Sequence, residues 1–119
     1  MTPFGARVRE LRRAKGVTLK QMAADLQLSP AYLSALEHGH RGRPSPILVD
    51  QICGYFNIIW DDADELRRLG KLSHPRVVID TAGLSPRATL LANRLAETIR
   101  GLPEERLERL LKEIGAGPG

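Results

Sequence analysis

The side chains that could carry out chemistry do not stand in catalytic or metal-binding arrangements. The candidate metal ligands are His38, His40, His74, Asp61, Asp62, Asp64 and Glu65. No histidine is spaced with another histidine, or with the lone Cys53, in the way that zinc ligands are. The acids need no metal, because the first turn of a helix favours negative charge. Ser29 and Ser34 lack the histidine and acid of a serine hydrolase, so we predict no enzyme, no metal site and no cofactor.

The positive charge of the chain is concentrated in its first 45 residues. The whole chain has 18 basic and 14 acidic residues, a net charge of +4. Residues 1–45 carry eight basic residues and three acids, whereas residues 46–119 carry ten and eleven, which gives +5 and −1. A polyanionic partner is therefore favoured for the N-terminal part. The first-helix cations Arg7, Arg9, Arg13 and Lys15 are interpreted as a solvated basic face that adds long-range attraction.

Cysteine content and hydropathy favour a cytoplasmic protein. A single cysteine, Cys53, forms no intrachain disulfide and is interpreted as a small buried apolar residue. The basic run from Arg7 to Lys15 interrupts any N-terminal signal sequence. No stretch approaches the roughly 20 apolar residues of a membrane span.

Capping residues and apolar periodicity predict an all-α protein. Ser-Pro pairs at 29–30, 45–46 and 85–86 each offer a side-chain cap followed by proline at the first helical position. Thr18 with Gln21 forms a capping box. In the fourth helix, the residues expected to be available to the core are Ile47, Ile52, Tyr55 and Phe56. The predicted helices cover residues 3–15, 19–26, 30–38, 46–56, 61–70, 86–101 and 103–114.

Residues 18–39 have the pattern of two helices joined by a tight turn. Ala23 is small where the helices approach, and the apolar positions are Leu26, Leu28, Leu33 and Leu36. The stretch VRELRRAKGVTLKQMAADLQLSPAYLSALEHGHRGRPS resembles the phage-repressor/Cro type helix-turn-helix family, the Xre-like transcriptional regulators. The resemblance covers roughly residues 4–60, and more weakly 61–72. It implies a five-helix repressor-like DNA-binding domain whose third helix enters the major groove.

The resemblance also implies roles for individual residues. Arg12 and Glu37 stand where the family has a structural ion pair, and we expect them to pair with each other instead of binding DNA. The residues expected to face the bases are Ser29, Pro30, Ala31, Tyr32, Ser34, Ala35 and His38. The residues expected to contact phosphate are Lys20, Arg41, Arg43 and Ser45. For Tyr32, packing on the start of the fourth helix remains an equal alternative.

Two positions depart from the family pattern. Leu19 stands where many members have a glutamine that touches phosphate, and a leucine side chain has no polar group for that contact. Gln27 stands where many have glycine in the turn, so it has to accept a left-handed conformation. The base-facing set lacks the arginine, asparagine and glutamine side chains that discriminate single bases strongly. DNA shape and half-site spacing are therefore expected to contribute to specificity.

Beyond the predicted DNA-binding domain (1–72) and a linker (73–84), residues 85–119 are predicted to form an amphipathic two-helix dimerisation element. The run VVID at 77–80 could form a short strand, but four residues leave that open. The apolar stripe either covers the first domain or pairs with a second chain. We favour pairing, because two-fold dimers read two half-sites. The residues of the dimerisation stripe are Leu91, Leu95, Leu102, Leu107, Leu110, Leu111 and Ile114.

These features together predict a bacterial or phage transcriptional regulator, a repressor that binds operator DNA as a homodimer. Two alternatives remain open. The first is an antitoxin that binds its own operator and, through the last two helices, a toxin. The second is a protein-binding adaptor. The sequence indicates no small-molecule ligand and no membrane partner.

Overall fold

The computed structural model of the protein describes residues 1–115, and within them it contains helices and no strand. The predicted all-α fold is confirmed. The α-helices are α1 (Pro3–Lys15), α2 (Leu19–Asp25), α3 (Pro30–Glu37), α4 (Pro46–Tyr55), α5 (Trp60–Lys71), α6 (Pro86–Thr98) and α7 (Glu104–Gly115). A 3-10 turn at Ile99–Gly101 replaces the predicted last turn of α6.

Helix starts follow the predicted caps. The hydroxyl groups of Ser29, Ser45 and Ser85 accept hydrogen bonds from backbone N–H groups three residues later, at 3.0, 3.2 and 3.3 Å. The capping box of α2 is complete, since Thr18 and Gln21 each accept the other's backbone N–H. Local sequence is therefore sufficient to set where these helices begin.

The chain divides into two compact units, Met1–Val77 and Val78–Gly119, the second of which is described up to residue 115. The first unit extends five residues beyond the predicted domain end at 72. Ser73 explains the difference: it is buried, its hydroxyl accepts the N–H of Phe4 (2.9 Å) and donates to the carbonyl of Leu69 (2.6 Å). These two hydrogen bonds connect the start of α1 to the end of α5.

A single apolar core lies among the five helices of the first unit. Its members are Phe4, Val8, Met22, Ala23, Leu33, Leu36, Leu48, Val49, Ile52, Cys53, Ala63 and Leu66. Burial raises the pKa of the Cys53 thiol, in agreement with its interpretation as a small apolar residue. The prediction that Ile47 is available to the core is wrong, because Ile47 is 73% exposed. Tyr55 and Phe56 are half-buried and pack at the edge of the core.

The second unit contains α6 and α7, and no residue between 78 and 115 is buried. Leu95, Leu102, Leu107 and Leu110 of the predicted dimerisation stripe are half-buried. Leu91, Leu111 and Ile114 of the same stripe are exposed. The apolar stripe is thus incompletely covered within this unit. No helix in the described part of the chain is long and apolar enough to cross a membrane.

Candidate nucleic-acid interface

The helix-turn-helix corner consists of α2, the turn at 26–29 and α3. Gln27 adopts a left-handed conformation with φ of 58°, as its position in place of glycine requires. The N–H of Leu28 then donates to the carbonyl of Ala23 (2.8 Å), which closes the end of α2. Ala23 is fully buried, and its small side chain permits the close approach of the two helices. These contacts fix the angle at which α3 leaves the turn.

The inner side of α3 is anchored by apolar packing and by one buried ion pair. Leu33 and Leu36 belong to the core. The Nη2 atom of Arg12 donates to both carboxylate oxygens of Glu37, at 2.9 and 3.0 Å. Both residues are buried, so neither is available to a ligand at the protein surface.

Burial affects the protonation of Glu37 in this pair. It raises the pKa of the Glu37 carboxyl above its ordinary value, and the Arg12 guanidinium opposes that effect without cancelling it. The Nε atom of Arg12 is also buried without a hydrogen-bond partner in the described structure. The pair therefore positions α3 at an appreciable desolvation cost.

The start of α1 contacts the end of α3 through backbone. The N–H of Thr2 donates to the carbonyl of Glu37 (3.0 Å), and the hydroxyl of Thr2 accepts the N–H of Gly5 (3.0 Å). Gly5 lies so close to Glu37 that a Cβ atom there would collide with its carbonyl group. Sequence reasoning missed Thr2 and Gly5, although Thr2 before Pro3 is itself a capping signal.

The residues predicted to face the bases form the outer side of α3, which we call the reading face: Ser29, Pro30, Ala31, Tyr32, Ser34, Ala35 and His38. Ser29, Pro30, Ala31 and His38 are exposed, whereas Tyr32, Ser34 and Ala35 are half-buried. The Ser29 hydroxyl oxygen already accepts the N–H of Tyr32, so its free capacity is mainly that of a donor. The Nδ1 atom of His38 donates to the carbonyl of Ser34 (2.9 Å), which leaves Nε2 of the neutral ring as an acceptor.

The loop from Gly39 to Ser45 carries two of the predicted phosphate contacts. Arg41 and Arg43 are exposed, and the Arg41 guanidinium lies 5.9 Å from the centre of the Tyr32 ring. Gly39 and Gly42 have φ values of 83° and 72°, a region that favours glycine. Arg41 therefore lies at the edge of the reading face.

Lys20 and Ser45 are the other predicted phosphate contacts. Both are exposed. Lys20 lies in the first turn of α2. The Ser45 hydroxyl oxygen accepts the N–H of Leu48 as the cap of α4, which leaves its proton available for donation.

A cavity of about 410 Å³ lies beside Arg43, between the start of α4 and the end of α5. Arg43, Arg67 and Lys71 contribute positive charge to its wall. Arg67 is held by salt bridges to Asp50 (2.9 Å) and Asp64 (3.0 Å). Arg43 and Lys71 have no salt-bridge partner in the described residues, so they are the free cations of this surface. Sequence reasoning missed Lys71, although the basic last turn of α5 is a visible signal.

The exposed Lys15, interpreted from sequence as part of a solvated basic face, has a structural contact. Its Nζ atom donates to the carbonyl of Tyr55 (2.9 Å) and lies 4.1 Å from the centre of the Tyr55 ring. The hydroxyl of Tyr55 in turn donates to Asp25 at the end of α2 (2.7 Å). These bonds connect α1, α4 and α2.

Comparisons with known proteins agree with this geometry. The chain is 36% identical over 62 residues to an uncharacterized HTH-type transcriptional regulator, RghRB, of Bacillus subtilis (strain 168). The aligned part covers 52% of this chain and 45% of that protein, so the chain spans less than half of its relative's length. No solved structure gives a significant match. A family model described as a helix-turn-helix domain matches residues 3–69, which include all of α1 to α4 and most of α5. The chain therefore belongs to this helix-turn-helix family, and the resemblance to Xre-like regulators is confirmed.

Proposed function

We propose that this protein is a DNA-binding transcriptional regulator, a repressor that binds operator DNA as a homodimer. The observation that carries the proposal is the division of α3 into an inner side held by Leu33, Leu36 and Glu37 and an outer reading face of mostly small residues that are exposed or half-buried. A helix of this kind fits the major groove, which is about 12 Å wide, because short side chains let its backbone approach the bases. The relative's name as an HTH-type transcriptional regulator supports the same class of function.

Base contacts would come from few groups. The hydroxyl of Ser34 donates or accepts, Ser29 has a proton to donate, and His38 offers Nε2. Ala31 and Ala35 suit the methyl group of thymine. Since no side chain of the face makes a two-pronged contact to guanine or adenine, sequence-dependent DNA shape would carry part of the specificity.

Affinity would come mainly from phosphate contacts. Lys20, Arg41 and Arg43 are exposed cations around the corner, and Ser45 adds a hydroxyl donor. Binding of cations to phosphate releases condensed counterions, so affinity falls as salt rises. Lys71 beside Arg43 is a further candidate for this role.

Paired substitutions test the division between reading and phosphate contact. Ser34→Ala should relax base choice at one or two operator positions and leave binding to random DNA unchanged. Arg43→Ala should weaken binding to all sequences and reduce the slope of log affinity against log salt by about one unit. Fluorescence anisotropy with operator and random duplexes at several salt concentrations measures both.

Arg13→Ala is the matched control for charge. Arg13 is exposed on α1, and its substitution removes the same charge as Arg43→Ala at a position without a proposed phosphate contact. An equal change in salt slope for the two variants would show that net charge alone, and not a phosphate contact of Arg43, sets the salt dependence of DNA affinity. Equal loss on operator and random DNA for Ser34→Ala would remove Ser34 from the reading face.

The homodimer is proposed from the incompletely covered stripe on α6 and α7. Leu111 is 69% exposed and Ile114 is 71% exposed, which is unfavourable for apolar side chains unless another surface covers them. Leu111→Glu should shift the protein toward monomer in sedimentation equilibrium without unfolding it, because Leu111 has little packing to lose. Ile47→Glu is the control, since Ile47 is equally exposed but lies in the first unit. Dissociation by Ile47→Glu alone would assign the contact to the first unit.

The same exposed stripe would also suit a different protein, and this favours the antitoxin as the second candidate. A toxin bound to α6 and α7 would be lost with Leu111→Glu while operator binding by the first unit remained. Co-expression of the chain with the product of a neighbouring gene, followed by native mass spectrometry, distinguishes a heteromeric complex from a homodimer. The adaptor alternative fails if operator DNA is bound with the expected salt dependence.

A further inference from the structure

The segment Arg76–Asp80, with the sequence RVVID, exposes three consecutive β-branched residues. Val77, Val78 and Ile79 are 74%, 92% and 58% exposed. Residues 77–80 form no helix or turn, and their backbone N–H and C=O groups have no hydrogen-bond partner within residues 1–115. β-branched side chains favour extended backbone, and an exposed extended segment with free N–H and C=O groups is a template for pairing with another strand.

We propose that Arg76–Asp80 pairs with the same segment of a second copy as a two-stranded antiparallel ribbon. The inference rests on the proposed homodimer and names a contact within it. Antiparallel pairing about a two-fold axis at Val78 places Val78 opposite its own counterpart. Val77 then lies opposite the second copy's Ile79, and Arg76 lies opposite the second copy's Asp80. By symmetry each of the last two pairs occurs twice.

Each face of such a ribbon brings together side chains that interact favourably. Side chains alternate along a strand, so Val77 and Ile79 of both copies share one face as an apolar cluster. Arg76, Val78 and Asp80 share the other face, where the central valine pair has an ion pair on each side. Directly opposed residues of opposite charge stabilise antiparallel strands.

Other registers lose this complementarity. A parallel arrangement places Arg76 beside Arg76 and Asp80 beside Asp80, which is unfavourable. An antiparallel shift by one residue in either direction opposes Asp80 to Pro75 or to Val77, and it leaves Arg76 without the carboxylate. Among these arrangements, the charges favour the antiparallel register centred on Val78.

Both ends of the segment limit the ribbon to these residues. Pro75 has no N–H to donate to a ladder. At the other end, the carboxylate of Asp80 accepts the N–H of Ala82 (2.9 Å), and a turn follows with Gly83 at φ of 80°. A ribbon this short is marginal alone. It would form because contacts elsewhere in the dimer hold the two segments at high effective concentration.

Cysteine cross-linking tests the register in the full-length protein. Val78→Cys should form an intermolecular disulfide readily in a glutathione redox buffer, because directly opposed Cβ atoms lie about 5 Å apart. Val77→Cys is the matched control: its counterpart in the second copy lies diagonally, beyond about 7 Å, so it should cross-link poorly alone. Mixed with Ile79→Cys it should cross-link well. The wild type controls for Cys53, which is buried.

Charge reversal gives an independent measurement. Arg76→Asp and Asp80→Arg should each weaken dimerisation by roughly 2- to 30-fold in sedimentation equilibrium, since two opposed pairs are lost per dimer. The double variant should regain most of the wild-type affinity because each pair is restored with reversed charges. Asp80→Asn retains an oxygen for the N–H of Ala82, so it separates the effect of charge from the effect of the turn.

The outcomes distinguish the ribbon from the homodimer itself. A wild type that is monomeric at all concentrations refutes both. A wild type that is dimeric and dissociated by Leu111→Glu, but in which Val78→Cys cross-links no faster than Val77→Cys, refutes the ribbon and retains the homodimer. Failure of the double charge reversal to restore affinity likewise overturns the proposed register.

Discussion

Removal of Arg12 should destabilise the protein in a manner that depends on pH. Glu37 is 1% exposed, and Arg12 is the cation that donates to both of its carboxylate oxygens. Arg12→Met retains most of the aliphatic volume and removes the charge. The carboxyl would then be buried without a counterion, and its pKa would rise further above 4.5, because both effects of Arg12 lower it.

The magnitude follows from proton linkage. A buried Glu37 without Arg12 takes up a proton on folding, and each pH unit above the ordinary pKa costs about 1.4 kcal/mol. The pH-dependent penalty is therefore at most roughly 3–4 kcal/mol at pH 7 and below about 1 kcal/mol at pH 5. The direction of the change in stability with pH is fixed, because a native state that binds the proton more tightly than the unfolded chain loses stability as the pH rises.

Urea unfolding followed by circular dichroism at pH 5, 6 and 7 measures this difference. The wild type at each pH is the reference. At pH 7 a loss of 3 kcal/mol lowers the midpoint by roughly 1–3 M urea. A penalty for Arg12→Met that is equal at pH 5 and pH 7 would refute the reasoning, since Glu37 would then not be protonated on folding.

The double variant Arg12→Met/Glu37→Leu completes the experiment. It removes the titrating group, the buried charges and the unpartnered Nε of Arg12. Its stability at pH 7 should lie within about 1 kcal/mol of the wild type or exceed it, because apolar replacements of buried ion pairs are often neutral or stabilising. Operator affinity should also persist, since neither residue contacts DNA in the proposed complex.

Two further substitutions test the contacts that hold α1. Gly5→Ala should destabilise the protein by at least about 2 kcal/mol in thermal unfolding, because its Cβ would collide with the Glu37 carbonyl. Gly54→Ala, inside α4 with open space around it, should instead stabilise by about 0.5–1 kcal/mol, and the opposite order would contradict the proposed close approach. Ser73→Ala should cost about 1–3 kcal/mol and speed hydrogen exchange at the Phe4 amide, because that buried N–H loses its acceptor. Unchanged exchange at Phe4 would show that the bond is not formed in solution.

The helix boundaries were predictable because their causes are local. Ser29, Ser45 and Ser85 each satisfy an N–H group only three residues away, and the conformation of Gln27 follows from its place in a tight turn. The predicted core position of Ile47 was wrong, although the apolar periodicity of α4 indicates the correct one. One and two helical turns after Ile47 stand Gln51 and Gly54, whereas Leu48 is followed one turn later by Ile52 on the buried side.

Contacts between distant segments were not predictable in the same way. Thr2 binds Glu37 across 35 residues, and Ser73 binds Phe4 across 69. Serine and threonine are common in loops, so nothing in the neighbouring sequence distinguishes a buried one. Lys15 was likewise interpreted as a solvated cation, because its partner, the carbonyl of Tyr55, belongs to the backbone and leaves no sequence pattern.

The limited hydrogen-bonding capacity of the reading face explains why the proposed DNA binding requires a dimer. Of its seven residues, four have polar groups, and the Ser29 oxygen and the Nδ1 of His38 are already engaged within α3. One copy can therefore distinguish few bases by hydrogen bonding. Recognition of one operator in a genome then depends on two copies that read half-sites about one turn of DNA apart. The contacts that fix the distance between the two copies therefore contribute to specificity. Substitutions at Arg76 or Asp80 should accordingly reduce affinity for the operator more than for random DNA, although neither residue reads a base. Equal reduction on both DNAs would show that the dimer raises affinity without selecting half-site spacing.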